Sequence, residues 1–92
     1  MKYEIVRTAR FRKHLRLMLK RGKNLAKLMK VVEILARGET LPANYKDHAL
    51  IGDLTGLRDC HVENDWVLIY QIKNDVLVLS LTDTGTHSDL GL

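Results

Sequence analysis

Residues 57–82, LRDCHVENDWVLIYQIKNDVLVLSLT, decide the fold. Three β-rich runs, Leu57–Val62, Trp66–Ile72 and Val76–Thr82, are separated by Glu63-Asn64-Asp65 and Lys73-Asn74-Asp75. Asn and Asp tolerate the backbone conformations of tight hairpins, and branched and aromatic residues fill the runs between them. The stretch therefore predicts a three-strand antiparallel meander. Alternation along its first strand puts Leu57, Asp59 and His61 on one face and Arg58, Cys60 and Val62 on the other. Cys60 and Val62 suit a covered side, so Asp59 and His61 are expected on the open one.

Working outward, residues 43–56 hold no clear period and contain Gly52 and Gly56, which reads as a structured loop after Pro42. Upstream, Leu25, Leu28, Val32 and Leu35 recur at helical spacing and end near Gly38; Phe11, Leu15, Met18 and Leu19 form an earlier stripe that Thr8 can cap. Arg21-Gly22-Lys23 breaks the two into a helical hairpin. Residues 2–7, with Tyr3 and Ile5 alternating, read as an opening strand, and Gly85–Leu92 has room for one helical turn. The order is strand, two helices, three-strand meander. Such a chain of 92 residues is one α+β domain, with helices covering one face of a largely antiparallel sheet. The other face stays partly open for chemistry.

No apolar run approaches the ~18 residues of a membrane span, and MKYEIVRTAR lacks the apolar core of a secretory signal. A single cysteine, Cys60, forms no internal disulfide, so a cytoplasmic protein is expected. The net charge of +4 conceals an asymmetry: residues 1–37 hold twelve Lys/Arg against Glu4 and Glu33, whereas residues 38–92 hold three against nine acids. A basic half this dense attracts polyanions, either nucleic acid or an acidic protein. The plainer alternative is a solvated helix pair that keeps the protein soluble.

Three of the four histidines, His48, His61 and His87, lie in the loop, at a strand end and in the tail. Functional groups concentrate at such places. His14, between Lys13 and Leu15 on the basic helix, reads as a surface residue. Asp59 is placed to orient the His61 imidazole, although a merely structural Asp–His pair has the same spacing. Asp65 is either a functional neighbour or an ordinary turn aspartate. Through a three-residue turn, Trp66 falls opposite Val62 and points to the core; with a bulge or another register it would instead expose an indole for base stacking, worth ~1–3 kcal/mol. No His or Cys pair has zinc-ligand spacing, so no metal or other cofactor is expected. No serine sits in a nucleophile-elbow context either. RNA cleavage fits better, because RNA brings its own nucleophile, the ribose 2′-hydroxyl. The protein then needs a base, an acid and positive charge for the phosphorane, and histidines supply these near neutral pH.

Tyr45-Lys46-Asp47-His48-Ala49-Leu50, Gly52, Gly56-Leu57-Arg58-Asp59-Cys60-His61-Val62-Glu63, Asp65-Trp66, Leu68-Ile69-Tyr70 and Thr84-Gly85-Thr86-His87-Ser88-Asp89-Leu90 resemble, in order, the YafQ branch of the RelE superfamily of toxin endoribonucleases. The resemblance implies a compact α+β toxin of a type II toxin–antitoxin system that cleaves mRNA on the 70S ribosome. It also implies neutralisation by an antitoxin with a ribbon-helix-helix DNA-binding part. Catalytic roles carry over onto His48, His61, Asp65 and His87, and RNA contact onto Trp66, Asp59, Arg58 and Lys46. Arg10, Lys13, Lys20 and Lys23 of the basic helices would meet ribosomal RNA. On this reading His87 is the general acid, His48 or Asp65 the base with His48 favoured, and His61 with Arg58 the charge stabilisers. One departure stands out: family tails commonly end Ser-Asp-Leu-Phe with the phenylalanine in the active site, whereas here Gly91 and then Leu92 follow Leu90, which implies an attenuated enzyme. The rival function is that of a superfamily toxin that inhibits DNA gyrase by docking, whose members generally lack the three-histidine set. A non-toxic RNA-binding domain would require the histidines to be structural.

Overall fold

The computed structural model describes residues 1–92. Strand β1 (Glu4–Arg7) leads to helices α1 (Ala9–Lys20) and α2 (Leu25–Ala36), then two-residue β2 (His48–Ala49) and strands β3 (Arg58–Glu63), β4 (Trp66–Lys73) and β5 (Val78–Gly85), closed by the single-turn α3 (His87–Leu90). The five strands lie in the order β1-β5-β4-β3-β2, with β1 parallel to β5 and the rest antiparallel.

Local chemistry sets both long helices. Thr8 caps α1 by accepting from the Phe11 amide at 3.0 Å while its hydroxyl donates to the Thr82 carbonyl at 2.7 Å, which also ties the helix start to β5. Asn24 caps α2 through the Ala26 amide at 2.9 Å. An unmade cap of this kind costs ~1 kcal/mol. Phe11 and Met18 of α1 and Leu28, Val31, Val32 and Leu35 of α2 are buried against Cys60, Trp66, Leu68, Tyr70, Leu79 and Leu81 of the sheet. Each large side chain so buried contributes ~1.5–3 kcal/mol.

The meander forms with shifted bounds. Its third strand starts at Val78 rather than Val76, because the β4–β5 turn extends to Leu77, whose φ is 54°. That leaves Val76 and Leu77 exposed. The shift carries β5 on to Gly85 and delivers His87 to the same end of the sheet as the β3–β4 turn. The β3–β4 turn has two residues, Asn64 and Asp65, so that Glu63 rather than Val62 faces Trp66. A bulge between His61 and Glu63 compensates, and Trp66 still enters the core. The aperiodic loop contains two 3-10 turns, Ala43–Tyr45 and Gly52–Leu54, and between them β2, which adds an edge to the sheet.

Candidate active site

Antiparallel pairing of β2 with β3 sets His48 directly opposite Asp59, and the alternation of β3 puts His61 two positions further along the same face. Asp59 is only 4% exposed. One of its carboxylate oxygens, Oδ1, lies 3.2 Å from His48 Nδ1. That separation gives Coulombic attraction without an aligned hydrogen bond, since Nδ1 points to the Lys46 carbonyl at 2.8 Å and Oδ1 has no hydrogen-bond partner. Desolvation pushes the Asp59 carboxyl above its ordinary range, and the charges of His48, His61 and His87 pull it partly back. The charges of three imidazoles therefore bear on one buried carboxylate, with His48 in contact with it.

The His61 and His87 rings meet edge to face, with centroids 4.9 Å apart and planes at 71°. Burial and then the neighbouring His87 lower the proton affinity of His61, against an opposing pull from Asp59, so the neutral ring is favoured. This alters the expected role of His61: a neutral ring accepts or shares a proton and carries little charge for a phosphorane. Asp65 accepts from the His87 amide at 2.9 Å, and its Oδ1 lies 2.6 Å from His87 Nδ1. Those two bonds, the backbone one first, hold its carboxyl below the usual range. An ionised Asp65 engaged on His87 Nδ1 orients that ring and leaves Nε2 without a protein partner; it is correspondingly a poor base.

Two expected RNA contacts are placed elsewhere. Trp66 is fully buried, and its Nε1–H donates to Thr84 Oγ1 at 2.9 Å, which in turn donates to the Val67 carbonyl at 2.8 Å. It offers no face to a base, because the bulge restores its inward direction. Arg58 pairs across the sheet with Tyr70, a core residue, and its guanidinium meets Asp47 through two contacts of 3.3 Å. Tyr70 donates its hydroxyl to the same Asp47. Arg58 thus anchors the segment between Lys46 and His48 from the opposite face. The cation beside the histidines is Lys46, an exposed residue at φ 53° whose charge reaches His61. Lys46 and His61 line a shallow cleft of about 270 Å³ with Asn44, Tyr45 and Asn64.

Of the helical cations, Arg10, Lys13 and Lys20 are exposed, whereas Lys23 lies 3.2 Å from Glu63 beside Lys27 at 2.7 Å. His14 is not the free surface residue its neighbours suggested; it lies 2.6 Å from Asp83, a nearly buried carboxylate on β5. Nothing in the periodicity of α1 marks that partner, which is 69 residues away. Cys60 faces the core, where burial raises its thiol pKa and leaves it unreactive. A separate groove of about 280 Å³ between α1, α2 and the sheet has an apolar floor and only Arg7, Arg12 and Arg16 as charged walls. It holds no acid–base pair.

Residues 3–91 match the family of YafQ bacterial toxins of type II toxin–antitoxin systems. The chain belongs to that family. The mRNA interferase toxin YafQ of Escherichia coli K12 is 40% identical over 88 residues, which are 95% of this chain and 94% of that one. A chain of the E. coli DinJ–YafQ complex superposes with a TM-score of 0.87 at 39% identity, covering 96% of this chain and 97% of that one. A metal-bound toxin from Helicobacter pylori superposes with a TM-score of 0.90 at 41% identity, covering 98% and 99%. In this YafQ-family member no group of three or more His, Cys, Asp or Glu side chains is arranged to hold a metal ion. The Nδ1 atoms of His48 and His87 already face oxygen partners.

Proposed function

We propose that this toxin is an endoribonuclease that cleaves mRNA on the ribosome by metal-independent transesterification, leaving a 2′,3′-cyclic phosphate and a 5′-hydroxyl. The observation that carries this is the clustering of His48 at Asp59, His61 on the same face of β3 and His87 edge-on to His61. His48 is the base: its Nδ1 is turned to the Lys46 carbonyl and Asp59, so Nε2 is free to take the 2′-hydroxyl proton. The 2′-oxygen attacks phosphorus, and the bond to the 5′-oxygen breaks. His87, oriented by Asp65, gives its Nε2 proton to the departing oxygen. Lys46 supplies positive charge to the phosphorane, and neutral His61 hydrogen-bonds to it. The exposed Arg10, Lys13 and Lys20 hold ribosomal RNA in a sequence-independent way.

The partner is an antitoxin with a ribbon-helix-helix DNA-binding part. A YafQ chain that covers nearly all of this one is found in complex with DinJ, which supports such a partner. Gly91 sits in the left-handed region at φ 72°, capping α3 with open space where a side chain would project. A base in the site therefore lacks an aromatic platform there, and cleavage is weaker than with one. Induced expression of the wild type beside His87→Ala, with primer extension on total mRNA, tests the assignment. The expected result is growth arrest with codon-associated cuts in the wild type and neither in the variant. Arrest that persists in His87→Ala without cuts would favour a docking toxin that acts on DNA gyrase.

A further inference from the structure

Helix α3 is four residues long, too short to hold itself in water, yet it carries His87. Two polar ties fasten it to the rest of the domain. Asp65 engages its first residue, and Arg21, the residue that closes α1, engages its third: Arg21 Nη1 donates to Asp89 Oδ2 at 2.7 Å and Nη2 to Oδ1 at 3.5 Å. Asp89 is also half of the capping box, accepting from the Thr86 amide at 3.0 Å while its own amide donates to Thr86 Oγ1 at 3.0 Å. The turn is drawn tightly over the end of β5. A Cβ on Gly85 would come within 2.9 Å of the Asp89 Cβ, so only glycine fits beneath it. The Arg21 contact holds the Asp89 carboxyl far below its usual range, and the pair stays ionised throughout the working pH range.

The geometry points to Arg21 as a positioning residue for His87, acting through Asp89 and the capping box to hold the general acid against Asp65 and His61. This rests on the reading of His87 as that acid. Asp65 alone fixes one end of the turn, and rotation about that point would swing the His87 ring away from His61. A second anchor on the opposite side of the turn removes that freedom. Arg21 thereby differs, through this ion pair, from the exposed basic residues within α1.

The test compares Arg21→Gln, Asp89→Asn, the double variant and Arg21→Lys. Asp89→Asn keeps an oxygen for the Thr86 amide and removes only the ion pair. Cleavage of one reporter mRNA in a purified translation mixture is expected to show kcat reduced about fivefold in either single variant, the scale of one well-formed ion pair, with KM unchanged. The double variant falls no further, and Arg21→Lys recovers part of the loss. In parallel, ¹⁵N NMR of the imidazoles is expected to show the Asp65-bonded state of His87 Nδ1 weakened in both singles and the His61 ring that His87 touches shifted with it, while His48 is unmoved. Wild-type kcat in Asp89→Asn would overturn the proposal, as would an Arg21→Gln effect on KM that persists in the Asp89→Asn background, since that marks a direct RNA contact. A wild type that cleaves nothing would refute the nuclease reading instead, and the NMR comparison would still decide whether Arg21 positions His87.

Discussion

Replacing Asp59 by Asn should make the protein more stable and less active. The carboxylate is 4% exposed, and its Oδ1 has no hydrogen-bond partner. Burial raises its pKa despite three nearby imidazoles, so the desolvation cost exceeds the Coulombic return. A buried charged group with an unmade hydrogen bond costs on the order of 1–3 kcal/mol, and an amide of the same shape recovers ~1 kcal/mol of that. For a domain of this size the midpoint of thermal unfolding then rises by roughly 4–8 °C. The sign with pH follows from the raised carboxyl. Between its unfolded pKa, ~3.9, and its higher folded pKa, the native state binds more protons than the unfolded state, and wild-type stability falls as pH rises. The advantage of Asp59→Asn is therefore small below about pH 4, grows through that window, and is constant above it. Urea unfolding of both proteins from pH 3.5 to 7.5 measures it. A variant that is less stable at pH 7, or a stability difference that ignores pH, would show that the Asp59 carboxylate is not a net cost to the fold. Cleavage should fall because the carboxylate that faces His48 across β2 and β3 is gone.

Further perturbations separate the roles of individual groups. Trp66→Phe should keep cleavage near the wild-type rate while urea unfolding shows lost stability, whereas a base-stacking Trp66 would lose cleavage in folded protein; Trp66→Ala should cost ~3–5 kcal/mol. Asp47→Asn and Arg58→Gln should each reduce cleavage without additivity when combined, because both act on the segment that presents Lys46 and His48. Lys46→Gln should slow cleavage in folded protein with the pH profile retained, which a circular dichroism check and a pH–rate series together would read. Gly91→Phe should raise cleavage of reporter mRNA while lowering the unfolding midpoint, since a side chain at φ 72° costs ~1 kcal/mol.

The fold was legible because its signals were local. Asparagine–aspartate turns punctuate the meander, apolar residues recur at helical spacing in α1 and α2, and Thr8 announces the first cap. What escaped depended on contacts between distant residues. Strand β2 is two residues long and exists only by pairing with β3, so no periodicity could mark it. Alternation placed Asp59 and His61 on the open face, but it could not show that His48 would cover Asp59. The Trp66 direction came out inward for a reason the sequence did not carry: a bulge offset a turn one residue shorter than expected. Arg58 read as a phosphate ligand through family resemblance, while the alternation of β3 already put it on the far side. His14 looked free because its aspartate lies on the last strand.

On the proposed mechanism an imidazole pair, without a metal, moves the protons of RNA cleavage. Single-turnover cleavage of a reporter mRNA on purified ribosomes, measured against pH after the toxin has been stripped of metal with a chelator, tests it most directly. The wild type should retain its rate and yield 2′,3′-cyclic phosphate ends with a bell-shaped profile. His48→Ala should lose the acidic limb, His87→Ala the alkaline limb, and each about 10²–10⁴-fold in rate. A rate that collapses with the chelator and returns with added metal, or full cleavage by both histidine variants, would contradict it.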